Sequence, residues 1–229
     1  MKHFYLLLTV IILSSCGNEK ILLLPEVHGA PVTEVSDVSH AYLFYDETQT
    51  DSVELNRKNL IGTTNWLINV DKRLTLAQAI PKIKFLQDKK RNAKMHKNEN
   101  AKNYYTCNDT SIQNLGFLEF TDVVYNSVET DDDILKIQIK KEPILLLKMN
   151  EDSKITASDI FGGQLTNRGD YSLDDLSNNR FKNLTSGYYS KIILMINTKL
   201  SFQDYIKFKC SVDTNKISSL VIDSNEFIY

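Results

Sequence analysis

KIILMIN, residues 191–197, followed by SFQDYIKF, residues 201–208, is the stretch on which the reading of this chain turns. Lys191 to Asn197 is a nearly continuous apolar run of strand length, the pattern of a strand covered on both faces. Ser201 and Asp204 then form a helix-start signature. The serine hydroxyl can accept from a first-turn backbone N–H, and the acid sits near the positive end of the helix. Phe202, Tyr205, Ile206 and Lys209 fall on one stripe of the helix that follows. Outward from this pair, Ile217 to Asp223 and Glu226 to Tyr229 read as closing strands. Upstream, Ser172-Leu173-Asp174-Asp175 opens another helix, with Leu173, Leu176, Arg180 or Phe181 and Leu184 on its stripe and Gly187 as its stop. Ile144 to Met149 is a buried-strand run, Asn150 to Ser153 is turn chemistry, and Lys154 to Thr156 begins the return strand. Gly162-Gly163 and Gly169 read as a loop between strand and helix. Residues 144–229 therefore read β-β-α-β-α-β. Ile134 to Ile139 alternates as one more strand, ended by Pro143.

The first half is read in the same terms. Leu23 to Pro31 is an extended linker, because each proline pushes its predecessor out of the helical region. His40 to Tyr45 is an aromatic strand, and Asn65 to Asp71 is a second, with Trp66, Ile68 and Val70 on one face. Leu76, Ile80, Ile83 and Leu86 or Gln87 mark a helix capped by Thr75, which Pro81 either kinks or restarts. Lys89 to Asn98 lacks periodicity and is expected to be a solvated loop. Tyr104 to Cys107, Gly116 to Phe120 and Asp122 to Tyr125 look like short strands. Glu129, Asp131, Asp132 and Asp133 crowd acids into the candidate boundary between the halves.

The chain has 229 residues, 42% hydrophobic and 24% charged, within the ordinary globular range. A formal net charge of −2 gives no reason to expect a nucleic-acid partner. The N-terminus departs from this globular pattern. MKHFYLLLTVIILSSCGNEK opens with a short polar start, runs apolar from Phe4 to Ile12 and exits through Leu13-Ser14-Ser15-Cys16. That run is about half of the roughly 20 residues needed to cross a bilayer, which favours a cleaved secretory leader.

No motif for catalysis emerges. The four histidines, His3, His28, His40 and His96, make no HExxH pattern, and no CxxC occurs, so no metal site or cofactor is expected. Asp131 to Asp133 lacks the spacing that converges carboxylates on calcium and reads as solvated linker. No GxSxG, GxGxxG or Walker pattern is present, so no catalytic residue is assigned. Cys107 and Cys210 are an even pair that a disulfide-permissive compartment would allow to bond, and the preferred reading is two separate buried thiols that pack as small hydrophobes. The one candidate interaction surface is the basic run with its following aromatics: Lys89, Lys90, Arg91, Lys94, Lys97, Tyr104 and Tyr105. A competing reading assigns Tyr42, Tyr45, Trp66, Tyr104 and Tyr105 to sugar stacking, with hydrolytic or carbohydrate-binding activity built from dispersed residues.

Leu13-Ser14-Ser15-Cys16 resembles the lipobox of bacterial lipoproteins. The resemblance implies loss of residues 1–15, acylation of Cys16 and a place in the cell envelope, anchored to the outer membrane and facing the periplasm. The element order of residues 144–229, with YSLDDL, KIILMIN and SFQDYIKF, resembles the periplasmic domain of the ExbD/TolR biopolymer-transport family, and Leu24-Pro25 matches that family's Leu-Pro. That likeness implies an envelope protein partner. The family's membrane helix and coupling acid have no counterpart, so a proton-coupled role does not carry over. The expected fold is α+β, one or two small two-layer α/β sandwiches. The expected divisions are a lipidated linker over 16–38, one module over 39–128 and a second over 134–229. The first module would be a degenerate copy of the second.

Overall fold

In the computed structural model the described residues are 20–93, 98–130, 133–135, 142–177, 181, 184, 189–214 and 220–229. They form a mixed α/β fold dominated by two sheets. The first half runs β1 (Glu26–Val27), β2 (Val38–Tyr45), β3 (Val53–Asn56), β4 (Asn65–Val70), α1 (Leu76–Arg91), β5 (Asn103–Asp109) and β6 (Asn114–Glu119). The second runs β7 (Val124–Ser127), β8 (Ile144–Met149), β9 (Ile155–Phe161), β10 (Gln164–Tyr171), a 3-10 turn (Asp174–Ser177), β11 (Lys191–Ile196), α2 (Phe202–Thr214) and β12 (Val221–Ile228).

Both halves repeat one arrangement. A hairpin (β2-β3, β8-β9) is followed by a central strand parallel to its first arm (β4, β11), then by a helix and another parallel strand (β5, β12). The strand orders β3-β2-β4-β5 and β9-β8-β11-β12 correspond position by position. The central strand is apolar because it has a neighbour along each edge and packing on each face: β4 is buried from Trp66 to Val70 and β11 from Ile192 to Ile196. Leu74-Thr75-Leu76 and Leu200-Ser201-Phe202 occupy equivalent places at the helix starts. The Thr75 N–H donates to Gln78 Oε1 at 2.8 Å, and the Asp204 N–H donates to Ser201 Oγ at 3.1 Å.

These two starts meet. The Leu76 N–H donates to the Leu200 carbonyl at 2.9 Å and the Phe202 N–H to the Leu74 carbonyl at 2.7 Å. The Ala77 N–H donates to the Thr198 carbonyl at 2.9 Å and the Gln203 N–H to the Lys72 carbonyl at 3.2 Å. The first-turn donors that each helix cannot satisfy internally are thus answered by the other half. The exchange is reciprocal, as a two-fold relation between the halves requires. A single apolar cluster runs through both, from Leu43, Ile68 and Tyr105 to Leu147, Leu194 and Phe202. Two smaller clusters cover the outer sheet faces: Leu67, Tyr104 and Phe117 beneath Val32, Val35 and Val38, and Ile144, Ile193 and Phe227 beneath Ile134 and Leu135.

Several elements depart from the sequence expectations. Pro81 interrupts nothing in the assigned helix, which runs unbroken from Leu76 to Arg91 with Pro81 on its exposed side. Lys89 to Arg91, expected in a loop, are its last turn. Val124 to Ser127, inside the expected first module, pairs with β12 of the second sheet, and Glu26-Val27, inside the expected linker, pairs with β5. Of the strand expected over Ile134 to Ile139, Ile134 and Leu135 are helical and residues 136–139 lie outside the described residues. Gly162 and Gly163 take positive φ in a hairpin turn, and the following residues form a third strand, β10, where a loop is expected. Gly169, at φ 128°, marks a register shift in that strand. Ser172 and Asp175 do make the reciprocal capping bonds, at 2.8 and 3.2 Å, but the described helix is only the 3-10 turn, with Phe181 and Leu184 helical beyond it. The described order after residue 143 is therefore β-β-β, a helical segment, then β-α-β. The two closing strands are one, Val221–Ile228, with a register shift opposite Ile192 and Leu194.

Candidate functional site

Two features of the described residues bear on function: the way the N-terminal segment is fastened, and a buried polar chain between the halves. The first described residue of this segment, Lys20, has its Nζ 3.0 Å from Asp46 and also pairs with Glu54, across the β2-β3 hairpin. The Leu23 N–H donates to Asp71 at 3.2 Å, and the Leu23 carbonyl accepts from the Lys72 N–H at 2.7 Å. Glu26 reaches Lys72 at 2.6 Å and exchanges two bonds of 2.8 Å with the Gln203 side chain on α2. Gly29 and Ala30 both donate to Asp109, at 3.0 and 2.7 Å. Burial by itself would raise the Asp109 pKa, but the bonds from Ser111, Ala30 and Gly29 outweigh it and hold the carboxyl well below its usual range. Gly116 is needed beside this strap, since a Cβ there would stand 2.4 Å from the Ala30 Cβ. From Lys20 to Ala30 the segment is therefore part of the body.

The second feature is a hydrogen-bonded chain across the seam. Tyr105 on β5 meets the Tyr125 hydroxyl at 2.5 Å, and Tyr125 meets the Tyr205 hydroxyl on α2 at 2.9 Å. Tyr205 donates to Glu226 at 2.8 Å, and Lys209 completes the chain with a short bond to the other carboxylate oxygen. All five residues are buried. Because the carboxylate can only accept, Tyr205 must accept from Tyr125, and Tyr125 from Tyr105. Burial pushes the phenols of Tyr105 and Tyr205 well above the ordinary tyrosine value. Tyr105 also stacks on Phe120 at 3.8 Å and meets Phe202 edge-on at 5.2 Å. These groups satisfy one another and bind the halves together.

The expected interaction surface is split by the fold. Lys89 is exposed on the last turn of α1. Lys90 is 8% exposed: its Nζ donates to the Lys102 carbonyl and Asn103 Oδ1 at 2.9 Å each and to the Thr64 carbonyl at 3.3 Å, and lies 4.9 Å over the Trp66 ring. Arg91 is exposed and donates to the Thr121 and Val123 carbonyls at 3.3 and 2.9 Å, anchoring the helix end. Tyr104 and Tyr105 are buried, at 8% and 0% exposure, and present no surface. Lys94, Lys97 and Cys16 lie outside the described residues. Lys90 belongs inside because a helix extended to Arg91 carries it round to the Ile83 and Leu86 stripe. Of the aromatics weighed for sugar stacking, Trp66 is 3% exposed, with its Nε1 donating to the Ile61 carbonyl at 2.8 Å. Of the acid cluster, Asp133 accepts from the Thr130 N–H at 3.1 Å within its own turn, and Asp131 and Asp132 lie outside the described residues. Cys107 and Cys210 are buried thiols, and burial raises Cys210 to about 11.

Burial lowers the Lys90 pKa to about 8, whereas the unfolded chain titrates near 10.4. Between those values the unfolded state holds more protons, so stability rises with pH from about 8 to about 10. Thermal midpoints measured across that window should rise in the wild type relative to Lys90→Met. Parallel curves would show that Lys90 is not the group responsible.

Comparison of the chain with known protein families, with curated proteins and with solved structures returns no match.

Proposed function

We propose that this chain is a lipid-anchored binding protein of the bacterial cell envelope. Acylated Cys16 holds it to the membrane, and its body engages an envelope protein partner, as an accessory of a transport or energy-transduction machine. The observation that carries this reading is the tether. Lys20 is paired to Asp46 and Glu54 on the body, and only residues 17–19 stand between it and Cys16. A chain of that length spans at most roughly 14 Å, so acylation would seat the β2-β3 end of the first half against the headgroups. A lipobox cysteine carrying two or three chains is held stably, where one chain holds marginally.

Each half is read as a two-layer α/β unit, one sheet with one main helix. The buried acids and tyrosines most able to do chemistry are engaged in the seam, which fits a module that binds better than one that turns over substrate. The outer edge of β10, eight residues long and mostly exposed, is suited to receiving a partner strand by backbone pairing.

Metabolic labelling with palmitate in a bacterial host tests the anchor. The full chain should take up label and pellet with membranes, and Cys16→Ala should do neither while keeping its circular dichroism. Label retained by Cys16→Ala, or membrane association of the unlabelled variant equal to wild type, would overturn the reading.

A further inference from the structure

We infer that the first half carries a headgroup groove for anionic phospholipid, beside the point where the tether lands. The groove lies between the residues following β3 and the last turn of α1, with a volume of about 520 Å³. Arg57, Lys58 and Lys89 line it, and all three are exposed. Leu60 adds an apolar side chain to the lining, and Glu54 is the acid in it. Glu54 is the side chain that Lys20 pairs with, so the tether's own cation answers the one acid there. What the groove offers a ligand is positive.

The apolar surroundings suit a membrane better than a free anion. The Arg57 guanidinium lies 5.0 Å over the ring of Phe85, whose exposure is 47%. Ile61, next to Leu60, is 56% exposed, and Ile21, next to Lys20, is 71% exposed. Cations flanked by exposed aromatic and aliphatic side chains make up an interfacial surface: the charges meet phosphates while the apolar groups enter the headgroup boundary. Arg57 can present a planar fork to a phosphate and the lysines add point charges.

The occupant follows from the tether. This inference rests on acylation of Cys16 for the supply of a bilayer, and the short span to Lys20 keeps that bilayer within reach of the groove. Confinement by the anchor raises the local lipid concentration, so a weak contact is enough to set the body's orientation. The basic surface sought in the lysine run thus takes only Lys89 from it and completes itself with Arg57 and Lys58 from the other side of the groove.

The test uses the mature chain of the proposal, residues 16–229 with Cys16→Ser, since every strand and helix described starts at or after Glu26. It is sedimented with vesicles of phosphatidylcholine alone or of phosphatidylcholine with phosphatidylglycerol. Binding is expected only to the anionic vesicles, weakening as salt is raised. Each interfacial cation is worth about fivefold in affinity, so R57Q/K58Q/K89Q should lose on the order of a hundredfold. A control with Lys154, Lys199 and Lys207 changed to Gln, the same charge removed from the second half, should bind like the parent. Equal binding to both vesicle types, an unaffected groove variant, or an equal loss in the control would each overturn the inference. Because this protein is unacylated, a failure here leaves the acylation of Cys16 standing, and absence of palmitate on Cys16 would leave the vesicle result standing.

Discussion

Glu226→Ala should destabilise the protein by about 3–5 kcal/mol, the cost of leaving a buried cation without its partner. Lys209 is 6% exposed and Glu226 1% exposed, so neither ion can recover its hydration by a small movement. The carboxylate also accepts the hydrogen bond of the Tyr205 hydroxyl, and its loss leaves the Tyr105–Tyr125–Tyr205 chain without a terminal acceptor. Asp213, one turn further along α2, feels the Lys209 charge and is the acid placed to soften the loss, which favours the lower end of the range. Lys209→Met with Glu226→Leu should recover the ionic part of the loss, since an apolar pair of similar volume pays no ionic desolvation, while the cost of the unanswered Tyr205 hydroxyl remains. Urea unfolding of the parent, the single and the double variant makes the comparison. A single-variant loss below about 1 kcal/mol, within the ordinary range for an exposed pair, would show that the seam does not depend on this ion pair.

Phe202→Ala is expected to cost about 3–5 kcal/mol and to separate the unfolding of the two halves. Phe202 has no exposed surface and belongs to the cluster shared by both sheets. Its ring meets Tyr105 of the first half and Tyr205 of its own helix, the latter at 5.7 Å. Its backbone N–H is one of the reciprocal seam donors, and alanine keeps that bond, so the substitution isolates the packing term. The parent, with one continuous core, should melt in a single transition whose calorimetric and van't Hoff enthalpies agree. The variant should fall short of that agreement or show two steps. A parent that already melts in two steps would mean that the halves are joined only loosely.

The elements that could be read from the residues are those whose environment is the same along their whole length. KIILMIN is apolar from Ile192 to Ile196 because β11 sits between β8 and β12 and those five residues are buried. SFQDYIKF shows its cap and its stripe because α2 has one buried side. β10 was illegible for the converse reason. Gln164-Leu165-Thr166-Asn167-Arg168-Gly169-Asp170-Tyr171 is an edge strand held by its ladder with β9, and such pairing leaves little trace in side-chain polarity. β7 could be recognised as a strand, but its pairing with β12 is a long-range choice made by packing. Lys90 was legible in part: Ile83, Leu86 and Lys90 share one stripe, and only its lysine neighbours disguised it as loop.

The candidate site divides along the same line. By itself the sequence determined the α/β character of the chain and the central strand–helix units of both halves, because capping, periodicity and apolar runs are local chemistry. Only the tertiary structure decided that the two helix starts exchange their orphan donors, and that Tyr105 serves the seam and not the surface. It likewise brought Arg57 and Lys58 to Lys89 beside the Lys20–Glu54 pair. Those contacts join residues far apart along the chain, and what selects them is the burial and pairing of the folded whole.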